Sequence, residues 1–110
     1  LLEKGMRINL YYHEYLYPSS QSKEPFKVIN ARVGSLEIIK VEKVSKDEVW
    51  IEVRVLVSSQ FRYHNLDPAQ KGDTGWIKVT SDPNISFDFS EGYQKSPRSL
   101  LDSNKSRDQI

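Results

Sequence analysis

Cysteine is absent from this 110-residue chain. That absence removes disulfides, thiolate nucleophiles and cysteine-ligated zinc together, and leaves packing alone to hold the fold. It does not set the compartment, because proteins without bridges occur in reducing and oxidising surroundings alike. Long hydrophobic runs are missing too. The longest are triplets such as Val55-Leu56-Val57, far short of the ~20 residues needed to cross a bilayer as a helix. Charge of one sign is not in excess either: 16 Lys and Arg stand against 15 Asp and Glu, for a formal net charge of +1. With the two signs interspersed and a sequence pI near 8.1, the chain lacks the clustered basic face of a nucleic-acid binder, whose domain pI is usually above about 9.

Catalytic signatures are also lacking. There is no nucleophile elbow, no phosphate-cradling glycine loop and no dinucleotide fingerprint. His13 stands beside Glu14, and His64 three residues before Asp67. Two histidines in separate segments, without ligand spacing, read as surface pairs rather than as a metal or acid–base site. Asp47-Glu48 falls in a polar tetrad, where solvation keeps carboxylates ordinary. The chain is therefore expected to be no enzyme and to need no cofactor or metal.

What is present is β pattern. Met6, Ile8, Leu10 and Tyr12 alternate with polar neighbours, as in a half-buried strand. Pro18 to Pro25 is a turn-rich loop, and Phe26 to Ile29 a short strand. From Leu36 to Val44 the alternation lapses at Ile38-Ile39, which predicts a bulge or twist. Ser45-Lys46-Asp47-Glu48 reads as a hairpin loop. The strongest strand runs from Val49 to Val57, with Val49, Ile51, Val53, Val55 and Val57 toward the core and Trp50, Glu52, Arg54 and Leu56 away from it. A long connection from Ser58 to Asp73 carries Phe61, Tyr63 and His64. Gly75 to Val79 and Ile85, Phe87, Phe89 follow as strands. The lysines at 40, 43 and 46, interleaved with Glu37, Glu42 and Asp47, form a solvated face that discourages edge pairing.

No apolar stripe of helical period appears, so the fold class is all-β: a small barrel of five to six short antiparallel strands. Residues 1–90 form the domain with an N-terminal strand extension. Residues 91–110, poor in apolar side chains, form a disordered polar tail.

Leu16-Tyr17-Pro18-Ser19-Ser20, Lys27-Val28-Ile29, Gly34 to Val44, Trp50-Ile51-Glu52-Val53 and Gly72-Asp73-Thr74-Gly75-Trp76-Ile77 follow one another in an order that resembles the bacterial SH3-like domain. The glycines of the last segment permit a tight turn and a close strand approach. The resemblance spans roughly the middle sixty residues. It implies an SH3-like barrel and a non-catalytic adaptor for peptides or cell-wall components, in the periplasm or at the cell surface.

The rings carry the functional expectation. Tyr15, Tyr17, Trp50, Phe61, Tyr63 and Trp76 are the candidate ligand-binding residues, because rigid amphipathic rings give contact area at low entropic cost. The competing reading is packing, strongest for the strand tryptophans. The partners expected are an extended peptide, a protein or a cell-wall fragment, with no nucleic acid and no membrane span. The alternative is an assembly domain that pairs an edge strand, Met6 to Tyr12, with a partner chain or a second copy as a homodimer.

Overall fold

Alternation drives the architecture. The computed structural model describes residues 2–10, 13–29, 35–57, 62–79, 85–88 and 94–95. Its strands are β1 (Arg7–Leu10), β2 (Glu14–Leu16), β3 (Lys27–Ile29), β4 (Ser35–Lys43), β5 (Val49–Val55), β6 (Asp67–Pro68), β7 (Thr74–Val79), β8 (Ile85–Asp88) and β9 (Gln94–Lys95). No helix occurs among the described residues. Six strands form one sheet in the order β7-β5-β4-β1-β8-β9, and three form a second in the order β2-β3-β6.

The large sheet is built on β5. Val49, Ile51, Val53 and Val55 are all buried on its inner face, and Ile77 and Val79 of β7 continue that layer. The β5 strand ends at Val55, and Val57, expected inward, is 39% exposed. In β4 the register slips between Ile38 and Lys40. This bulge absorbs the extra residue Ile39, so Leu36 and Ile38 point inward before it and Val41 packs on the core after it. The polar tetrad at 45–48 closes the β4–β5 hairpin, with the N–H groups of Val44 and Ser45 donating to the Glu48 carbonyl at 3.0 and 3.1 Å.

The N-terminal strand is not an extension. β1 pairs antiparallel with β4 on one side and with β8 on the other, and Ile8 and Leu10 lie in the core. Both its edges are used within the chain, so Arg7–Leu10 of the segment expected to reach a partner is instead an interior strand, while Tyr11 and Tyr12 lie outside the described residues. Of the polar stretch expected to be disordered, Gln94–Lys95 pairs with β8 as β9; the rest lies outside the described residues.

The small sheet closes the core with Leu16, Ile29 and Ala69. Its β3–β6 pair is parallel. The two sheets are bridged at one residue pair, Tyr17 and Trp76, whose N–H groups donate to each other's carbonyls at 2.8 Å. Pro18 follows, and a residue without an N–H cannot extend that ladder. Pro68 limits β6 in the same way. The strands thus number nine, in two sheets with no closed barrel among the described residues, where five or six strands in a barrel were expected.

Two further contacts pin the sheets together. Gly75 is buried, and Leu16 fills the space above it. Lys27 Nζ donates to Asp73 Oδ2 at 2.7 Å, while the same oxygen accepts the Gln70 N–H at 2.8 Å. The turn at 70–73 is closed by the Asp73 N–H donating to the Gln70 carbonyl at 2.9 Å, with Gly72 at φ +95° where a side chain would be strained.

Candidate aromatic surface

Strand β2 turns one side toward the core and presents rings on the other. Leu16 is fully buried, so by alternation Tyr15 and Tyr17 face away from it. Tyr15 stands directly opposite Val28, and Val28 opposite Pro68, which sets the three in one cross-strand row. Val28 is fully buried yet lies outside the central cluster. With no exposure of its own, it lies covered beside the half-buried Tyr15 and Pro68 on the outer face.

A tight turn brings a ring onto this face from the long connection. The Leu66 N–H donates to the Tyr63 carbonyl at 3.0 Å, and His64 and Asn65 hold φ of 50° and 62°. Two positive φ values at the central positions mark the type I′ turn, which Asn and His tolerate better than most residues. The turn sets the Tyr63 ring 3.9 Å from His13 and 6.3 Å from Tyr15 by ring centroids, with His64 packed edge-on at 4.0 Å. His13 also meets Tyr15 edge-on at 6.2 Å.

Two residues along β2, Tyr17 begins a second group. Its ring meets Trp50 edge-on, with centroids 5.4 Å apart and planes at 81°. Trp50 is only 4% exposed, and its Nε1–H donates to Glu48 Oε2 at 2.8 Å. The other Glu48 oxygen lies 4.0 Å from Lys78 Nζ. Burial, then the charges of Glu14, Tyr15 and Glu24, raise the Tyr17 phenol above the ordinary tyrosine range.

Tyr15 and Tyr63 are thus brought together, and so are Tyr17, Trp50 and Trp76. Within the second group Tyr17 and Trp76 are half-buried, whereas Trp50 packs edge-on against Tyr17 and presents almost no surface. Phe61 lies outside the described residues. Two members of the surface were not anticipated from sequence. His13 packs against Tyr63 with the ring planes tilted by 38°, and it continues the i, i+2, i+4 series His13-Tyr15-Tyr17 that alternation would have flagged. Phe26, two residues ahead of Val28, donates its N–H to the Leu16 carbonyl at 2.9 Å and leaves its ring 40% exposed.

No group of three or more His, Asp or Glu side chains is arranged to hold a metal among the described residues. The chemistry on offer is stacking, edge-on ring contact and hydrogen bonding. Fold and surface together define a small all-β protein with an aromatic-lined outer face. Compared with protein-family models, curated proteins and solved structures, the chain gives no match.

Proposed function

We propose that this chain is a non-catalytic binding module whose outer aromatic face takes up an extended peptide or a cell-wall fragment. One observation carries the reading. Rings from β2, from the turn at 63–66 and from β7 gather on one side of the molecule, although Leu16, between Tyr15 and Tyr17, already supplies that strand's contribution to the core. Rings left half-buried outside the core offer contact area to an extended chain. The rings are held by backbone pairing and by each other, so little side-chain freedom remains to be lost on binding. The motif order resembling bacterial SH3-like domains supports the same role and an extracytoplasmic setting.

The test is an amide-shift titration of the folded chain with extended peptides and with muropeptides. Saturable shifts should cluster at Tyr15, Tyr17, Tyr63 and Trp76. Tyr17→Ala and Tyr63→Ala should each weaken binding at least fivefold in protein that keeps its β-type circular dichroism. Unchanged affinity in both folded variants would sink the proposal.

A further inference from the structure

The structure points to a more specific ligand: we infer that the Tyr17–Trp76 end of the face seats a cationic side chain, lysine or arginine, of an extended polypeptide. The inference rests on the binding role proposed above and narrows its ligand.

The first support is geometric. Tyr17 and Trp76 are locked to each other by two backbone hydrogen bonds of 2.8 Å, and Trp50, nearly perpendicular to Tyr17, fixes the tyrosine ring from behind. The Tyr17 ring is thus held in place before any ligand arrives, with the Trp76 backbone fixed beside it. A cation within about 6 Å of a Tyr or Trp ring face is attracted by the ring quadrupole.

The second is charge. Glu14 and Glu24 act on the Tyr17 phenol, Glu48 holds the Trp50 indole, and Glu52 stands directly across from Trp76. Against them stand Lys78, 4.0 Å from Glu48, and Lys40, across from Glu52. Lys27 is taken by Asp73, and Lys23 is exposed on the loop beside Glu24. Carboxylates outnumber the ammonium groups around the rings. The field of these carboxylates draws in a positive charge, gives nothing to a neutral sugar and repels a phosphate backbone.

The third is what lies alongside. Tyr15, two residues before Tyr17, and Pro68, across the buried Val28, are both half-buried, so a residue neighbouring the cation in an extended ligand meets apolar side chains. A free amine or a small ion would leave them unused.

The experiment titrates the full chain with four capped peptides of one length, identical except for Arg, Lys, Gln or Glu at the centre, read by tryptophan fluorescence and by amide shifts at Tyr17 and Trp76. The Arg and Lys peptides should bind about fivefold tighter than the Gln peptide, with the Glu peptide weakest. Glu24→Gln and Glu52→Gln should each weaken the Arg peptide about two- to threefold and move the Gln peptide less, and added salt should narrow the gap. Equal binding of all four peptides would overturn the cation inference while leaving the face a peptide surface. Silence toward all four, with muropeptides bound, would overturn it by transferring the face to cell-wall fragments; silence toward both would remove the binding role as well.

Discussion

Gly75→Ala tests the contact that joins the two sheets. A Cβ built on Gly75 would stand 2.8 and 2.9 Å from the two δ carbons of Leu16 and closer still to its Cγ. Leu16 is fully buried and sits in the core cluster, so its side chain has no open space to retreat into. Forcing a methyl into a packed site costs about 1–3 kcal/mol, a sizeable part of the roughly 5–15 kcal/mol that holds a domain together. With a urea m-value of about 1–3 kcal/mol per molar, a loss of ~2 kcal/mol should lower the midpoint by about 1 M. Trp50 and Trp76 flank the contact and report unfolding by fluorescence. Leu16→Ala alone should cost about 2–5 kcal/mol through its cavity. In that background the offending atoms are gone, and Gly75→Ala should be neutral or stabilising by about 0.5 kcal/mol, since alanine suits a strand better than glycine. The cycle should therefore show a coupling of at least ~1 kcal/mol. If Gly75→Ala costs as much in the Leu16→Ala background as it does with Leu16 in place, the clash is not what makes glycine necessary there.

Asp73 is held below the ordinary carboxylate range by the Lys27 hydrogen bond and by the Gln70 N–H, with burial opposing. Its contribution is therefore complete above the unfolded value of about 3.9 and is lost as pH falls through the lower folded value; Asp73→Asn should cost about 1 kcal/mol at neutral pH and flatten the acid limb of a stability-versus-pH curve. An unchanged acid limb would count against the pairing. Tyr17→Phe should remove a component that ionises above the ordinary tyrosine range from an ultraviolet tyrosinate titration, and Tyr17→Ala should shift Trp50 emission to the red while costing about 1–2 kcal/mol. Asn65→Gly relieves a φ of 62° and should raise stability by about 0.5 kcal/mol, whereas Asn65→Val should lower it by about 1–2 kcal/mol in the same melt.

Much of the large sheet was legible because period-2 alternation is strong where one face is buried. Val49 to Val55 on β5, Ile8 and Leu10 on β1, and the lapse at Ile38-Ile39 that became a bulge all followed from it. A close approach was expected from the glycines of the Gly72 to Ile77 segment, though the group that makes it at Gly75, the Leu16 side chain, was not. Strand order was not legible, since alternation says which side chains face inward and nothing about neighbours; hence β1 as an interior strand rather than an extension. β6 has two residues, too few to alternate, and its parallel pairing with β3 leaves no hairpin signal. On the surface, Tyr15 and Tyr63 were named without a reason for them to meet. That reason is a turn with two positive φ values at His64 and Asn65, which lacks the usual glycine. Trp50 was placed on the outer face correctly by alternation, yet its burial depends on Tyr17 arriving from the other sheet.

The position of β1 has a consequence for how the protein is made. A ribosome delivers β1 early and β4 soon after, and the two can pair once residues 35–37 have emerged. The opposite edge of β1 waits for β8, which begins only at residue 85, after every other strand of the core has been delivered. Throughout that interval the nascent chain carries a bare strand edge beside a nearly complete hydrophobic layer, the combination most prone to capture by another copy. The last strands are thus also the element that ends the exposure, and synthesis that stalls before residue 85 should leave a product that aggregates rather than one that merely binds less well.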